Sequence, residues 1–256
     1  MKLAIMQPYF LPYIGYFQAI YAVDKYILYE NVSFIKKGWM NRNRILIKNG
    51  GDYVITAPLV SKSSKSFIHD IQLDNTKNWN TKILKLILYN YKGSKYFDEV
   101  YPLFEKILNK STDYLCDWNA KAIICISEFI GLNTTIEYNN RDRYVKLEEQ
   151  LSKVACSNYD DFRYMEKTHP SKKLARILAI CENEGADTYI NAIGGQDLYN
   201  KEEFATYGID LKFVRTNEFS YSQFSKEFVP NLSIVDVLMH NGKVGTLELI
   251  KKYTLI

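Results

Sequence analysis

Nine consecutive residues concentrate more recognition chemistry than any other stretch of this chain: Lys36-Lys37-Gly38-Trp39-Met40-Asn41-Arg42-Asn43-Arg44. Arginine grips phosphate through two parallel N–H bonds and lysine acts as a point charge. The amides of Asn41 and Asn43 each offer donor and acceptor, and Trp39 offers a flat face. The set suits a phosphate joined to a ring: a nucleotide, a sugar nucleotide or an RNA end. A second stretch, Met6 to Phe17, reads MQPYFLPYIGYF. Its two prolines remove backbone donors and stiffen a turn. Gly15 would allow close approach to a helix start, where free N–H groups favour an anion. Gln7, Tyr13 and Tyr16 are the candidates to read a ligand there, with Tyr9, Phe10 and Phe17 assigned to core. Further along, Lys172, Lys173 and Arg176 open a helix, and residues 172 and 176 share a face. His169, just before Pro170, and Asp197 are candidate general bases. Gly194 and Gly195 are candidate backbone donors for a developing oxyanion.

The chain has no GxSxG elbow, Walker A loop, GxGxxG fingerprint or HExxH pair, so no cofactor is expected. Its four cysteines, at 116, 125, 156 and 181, form no CxxC pair, and no metal site is expected. Cys125 and Cys181 lie in apolar helical runs and read as buried hydrophobes. PYIGY echoes the HxGH loop of nucleotidyl transferases but lacks both histidines, which argues against adenylyl chemistry at that loop.

The elements that must position these residues follow from periodicity. Lys2–Met6 is a short apolar run bounded by Pro8, a buried strand. Gly15–Val23 has helical spacing, and KYILYE after Asp24 is a second strand, so the chain opens as a Rossmann-like parallel βαβ unit. Asn49-Gly50-Gly51-Asp52 predicts an antiparallel hairpin between RILIK and YVITAPL. Ser61–Ser66 reads as a polar loop or lid, and Ile68–Leu73 alternates like a short strand. Three helical patterns run from Thr76 to Ile130, with Ser111 and Gly131 as candidate caps. Strand and helix alternate again through Ser171–Glu184, Asp187–Asn191, Lys201–Tyr207 and Ile209–Val214, and a final helix covers Leu232–Met239. The expected architecture is α/β: a mostly parallel sheet built from residues 1–75 and 166–256, an appended hairpin, and a mostly helical insertion over 76–165. Ligands of open parallel sheets bind past the carboxyl ends of the strands. The opening loop and the loop 192–198 occupy such positions and are expected to face one pocket.

Composition sets the outer limits. With 256 residues and 47% hydrophobic content, the chain can bury a large core. The net charge of +4 is mild and does not by itself argue for nucleic acid. Tyrosine is abundant at 21 residues, partly the composition of AT-rich coding and partly suited to sugar or nucleotide surfaces. There is no apolar stretch of membrane-spanning length and no secretion signal, so a cytoplasmic protein is expected.

Three segments also carry a family resemblance. MQPYFLPYIGYFQAIYAVDKYILYENVSFIKKGWMNRNRI, GADTYINAIGGQDLY and FVPNLSIVDVLMHNG keep their order and resemble the signatures of the WbqC-like protein family. The likeness spans most of the chain and is weakest over residues 75–165. Tyr13 stands where many members have tryptophan, Glu30-Asn31 replaces an acidic pair, and His240-Asn241 replaces Asn-Cys. The resemblance implies an accessory enzyme of bacterial surface-polysaccharide (O-antigen, lipopolysaccharide) biosynthesis, some members being labelled glycine transferases. The expected reaction is acyl or aminoacyl transfer, glycyl first, to the amine of a nucleotide-linked amino sugar, with aminoacyl-tRNA as one donor. In that reading Lys36, Lys37, Arg42 and Arg44 hold phosphates, Trp39 packs a ring, and Asn41 and Asn43 orient the acceptor. The alternative is a non-catalytic subunit that binds a sugar nucleotide or RNA for a partner enzyme.

Overall fold

The computed structural model describes the chain except residues 37, 49, 61–65, 110, 111, 139 and 155–171, and except the side chains at 141, 152–154, 172 and 173. A six-stranded sheet organises it. The first strand, β1 (Lys2–Met6), pairs in parallel with β2 (Lys25–Leu28) on one side and β6 (Thr188–Ala192) on the other. Beyond β2 lies β5 (Thr135–Glu137), also parallel. Beyond β6 come parallel β7 (Asp210–Thr216) and antiparallel β8 (Tyr253–Leu255). The order is β5-β2-β1-β6-β7-β8, so strand order reverses between β1 and β6.

Side-chain alternation divides the core into two layers. Leu3, Ile5, Ile27, Tyr189, Leu211 and Phe213 point to one face. Helices α5 (Arg141–Val154), α6 (Lys172–Glu184) and α7 (Lys201–Ala205) cover that face through residues such as Tyr144, Leu147, Leu178 and Phe204. Ala4, Tyr26, Leu28, Ile190 and Val214 point to the other. There α1 (Ile14–Tyr21), α2 (Trp79–Tyr91), α3 (Phe97–Leu108), α4 (Leu115–Ile130) and α8 (Ile234–Ile250) form the second layer. The predicted hairpin is present as β3 (Arg42–Leu46) and β4 (Asp52–Thr56), separate from the main sheet, its Ile45 and Ile55 buried in that layer.

Two expectations need correction. Ile68–Leu73 is not a strand: Ile68–Asp70 forms a 3-10 turn closed by Ile71 N–H on Ile68 O. Ile68 and Ile71 are both buried, and their i, i+3 spacing falls on one side of a 3-10 turn but on opposite faces of a strand. The last helix does not stop at Met239. It bends at Gly242, where φ is 64° and ψ −171°, and continues to Ile250. A Cβ on Gly242 would stand 2.5 Å from the Tyr96 ring, so close packing as well as φ requires glycine there. Gly131 closes α4 in the left-handed conformation, as its position predicts; the other candidate cap, Ser111, lies outside the described residues. No helix among the described residues is long and apolar enough to cross a membrane.

Candidate functional site

The prolines at 8 and 12 leave the loop after β1 rich in carbonyls and poor in N–H groups, and the fold answers with donors from distant elements. Tyr16 Oη donates to Gln7 O at 2.8 Å. Asn119 Nδ2, from α4, donates to Pro8 O at 2.9 Å and also to Met40 O. Asn43 Nδ2, from β3, donates to Phe10 O at 3.0 Å and Leu11 O at 2.8 Å. Ser233, the N-cap of α8, donates from Oγ to Leu11 O at 2.7 Å, and Ile234 N–H donates to Pro12 O at 2.8 Å. Leu11 is held at φ +41°, a conformation costly for a branched residue, of order 1–3 kcal/mol. Strain of that size persists only when the surroundings over-determine it, and these donors do so.

The loop so fixed forms one wall of a crevice of about 560 Å³ at the carboxyl ends of β1, β2 and β6, where strand order reverses. This volume falls in the range of small-molecule sites. Gln7 and Tyr9 come from the opening loop, Tyr29 from the end of β2, Asn191, Gly194, Gly195 and Tyr199 from the segment around and beyond the end of β6, and Arg176 from α6. The opening loop and the 192–198 loop therefore share a pocket. Gly195 packs against Asn191: a Cβ there would lie 2.5 Å from Asn191 Nδ2.

Arg176 is not a lone cation. Its Nε and Nη2 donate to the two carboxylate oxygens of Glu148, on α5, at 2.5 and 2.8 Å. Tyr29 Oη also donates to Glu148 Oε1, at 2.5 Å. Burial, then the Glu148 charge and hydrogen bond, push the Tyr29 phenol above its ordinary range. For Arg176, burial favours the neutral form, but the hydrogen bond and charge of Glu148 more than offset it and the net shift is upward.

The remaining described candidates are not part of the crevice wall. The cationic segment leaves the rim at Ile35, which lines the crevice, and is tied back by Phe10 N–H donating to Trp39 O at 3.0 Å. Lys36 and Trp39 are exposed, Arg42 stands 5.8 Å over the Trp39 ring, and Arg44 pairs with Asp52 and donates to Pro230 O. Asn41 and Asn43 are buried, with their amide N–H groups donated to backbone: Asn41 to Ala57 O, Asn43 to the loop. Tyr13 lies against Gly15, where a Cβ would come within 2.4 Å of its ring, and Tyr16 is in the core. Asp197 is exposed in the turn after Gly195. Lys37 and His169 lie outside the described residues, as does the side chain of Lys172. Tyr29, Glu148, Asn191 and Tyr199 are not among the sequence candidates, and Tyr9, assigned to core, lines the crevice. Tyr29 and Asn191 carried a usable signal, each standing at the carboxyl end of a predicted parallel strand. Glu148 carried none, since its helix reads as solvated charge until α6 is laid beside it.

The C-terminal segment 228–242 holds a second polar cluster. Asp236 is fully buried and accepts from Tyr91 Oη at 2.9 Å, Tyr221 Oη at 2.7 Å and Gln223 Nε2 at 2.8 Å. His240 Nε2 lies 3.6 Å from Asp236, and burial holds the imidazole below its ordinary pKa despite that carboxylate. Tyr221 also lines a cavity of about 600 Å³ beyond β7, with Ile14, Asn217, Phe228 and Asn231.

The model of the WbqC-like protein family matches residues 7–247. The chain is also 23% identical over 243 residues to the uncharacterised protein Rv1507c of Mycobacterium tuberculosis, covering 94% of each chain. No solved structure matches it.

Proposed function

The chain belongs to the WbqC-like protein family, and from that premise we propose that it transfers an acyl or aminoacyl group, glycyl first, to the amine of a nucleotide-linked amino sugar in surface-polysaccharide biosynthesis. The observation that carries this reading is the crevice at the strand-order reversal, into which Gln7, Tyr29, Arg176, Asn191 and Gly195 converge from separate segments. Its phenols and amides suit a sugar, and the cationic segment that starts at its rim suits the phosphates. In the reaction the amine nitrogen bonds to the acyl carbon, the bond to the donor's leaving group breaks with its electron pair, and the amine gives up a proton. His169 or Asp197 takes that proton, and the N–H groups of Gly194 and Gly195 stabilise the oxyanion. Trp39 supports the nucleotide side, and Lys36, Lys37, Arg42, Arg44 and Lys172 supply charge.

One observation favours a second reading, a non-catalytic subunit that binds a sugar nucleotide or RNA end for a partner enzyme. Among the described residues, the crevice wall contains no His, Cys, Asp or Glu. Incubation with a nucleotide-linked amino sugar and candidate donors, charged tRNA included, distinguishes the two by mass spectrometry. The transferase reading predicts the mass increase of an acylated sugar, lost in Arg42→Ala. Ligand binding without product under every donor leaves the binding-subunit reading, and absence of binding removes both.

A further inference from the structure

We infer that the crevice takes the uncharged ring of its ligand, with a hydrogen-bond donor of that ring on Tyr29, and keeps the phosphates outside at the rim. This deepens the proposed function and rests on it.

Arg176 is the one cation among the described residues of the crevice wall, and its guanidinium is clasped by both oxygens of Glu148. Both side chains are mostly buried, at 18% and 16% exposure, so the pair presents almost no net charge inward. A diphosphate moved there would lose its hydration and find no spare cation among the described residues of the wall to replace it. A sugar ring brings no such demand, and Tyr9, Tyr199, Gln7 and Asn191 offer it flat faces, hydroxyls and amides.

Tyr29 lines the crevice, and its phenolic proton is committed to Glu148 Oε1 at 2.5 Å. Its oxygen is left to the ligand as an acceptor only. It reads an N–H or O–H of the ring and suits the amine that the proposed reaction would modify. Arg176, 6.0 Å over the Tyr29 ring, holds Glu148 in place for this and acts as a positioning residue. The cationic segment that departs at Ile35, with Lys36 and Arg42, lies outside the wall and is where the phosphates go.

Calorimetry on the full chain with UDP-glucosamine, UDP and inorganic pyrophosphate tests the arrangement. Tyr29→Phe keeps the ring and removes the oriented oxygen. It should weaken UDP-glucosamine about tenfold and leave UDP within about twofold, since one net hydrogen bond is worth about that factor. Glu148→Gln uncovers the guanidinium charge and should strengthen pyrophosphate binding several-fold. Arg42→Ala should weaken UDP and UDP-glucosamine alike. If Tyr29→Phe and Arg176→Ala weaken UDP as much as UDP-glucosamine, the phosphates lie inside and the inference is wrong, while the proposed function stands. If wild type binds neither these ligands nor any other nucleotide-linked amino sugar, the proposed function falls and the inference falls with it. Melting temperatures of the variants separate lost contacts from lost folding.

Discussion

Replacing Asn43 by alanine tests whether the opening loop is held by borrowed donors. The Asn43 amide donates to Phe10 O and Leu11 O, and its Oδ1 accepts from Arg44 N–H at 2.8 Å. The side chain is buried, so water cannot replace it freely. Leu11 O keeps Ser233 Oγ in the variant, whereas Phe10 O and Arg44 N–H lose their Asn43 partner. Each such buried group costs roughly 1–3 kcal/mol, and partial relaxation places the sum at about 2–4 kcal/mol. For a chain of this size that is a fall of roughly 5–15 °C in melting temperature. Ser233→Ala alone removes one loop contact and a helix cap, about 1 kcal/mol. Because both side chains serve the Leu11 carbonyl, the double variant should lose about 1 kcal/mol more than the sum. Denaturant titrations of the four proteins measure this directly. A loss under about 0.5 kcal/mol in Asn43→Ala, typical of a surface change, or strict additivity in the double variant, would refute the shared-carbonyl reasoning.

Other expectations are narrower. Gly195→Ala puts a methyl group 2.5 Å from Asn191 Nδ2 and must displace that amide from the crevice wall; ligand affinity should fall about tenfold with little change in melting temperature, one hydrogen bond's worth. Glu184 joins Lys25 and Tyr144 beneath the sheet, and those partners lower its pKa from 4.5 although burial works the other way. The stability it contributes is present above pH 4.5 and lost as pH falls through the lower folded value, so Glu184→Gln should flatten the acid limb of a stability–pH curve. His240 is held below its ordinary 6.5 by burial, so the unfolded chain takes up the proton first and stability falls as pH drops below that value; His240→Asn should lessen this fall in melts recorded from pH 7.5 to 5. Gly242→Ala meets both a left-handed φ and the Tyr96 ring, and its denaturation midpoint should report a loss of about 2 kcal/mol or more.

The sheet was legible because alternation and turn chemistry are local. Lys2–Met6, Lys25–Leu28 and the Gly50–Gly51 hairpin announce themselves within a few residues. The position of the crevice was legible for a related reason, since βα alternation places the loops after parallel strands at one end of the sheet. Individual roles were harder to read. Asn43 looked like a ligand contact, yet its amide hydrogens go to carbonyls 32 and 33 residues away. Nothing in a sequence window reveals such a partner. Glu148 and Arg176 meet only when α5 and α6 lie side by side. The last helix is expected only as far as Met239, yet it bends at Gly242 and resumes, because Thr246, Leu249 and Ile250 still bury a face against the core.

The bond from Ser233 to the Leu11 carbonyl spans 222 residues. During synthesis the first loop therefore gains this bond only after Ser233 has left the ribosome, long after its own residues have done so. A chain cut short of Ser233 would carry every crevice side chain among the described residues and lack one of the bonds that fix the opening loop, leaving Tyr16, Asn43 and Asn119 to hold it.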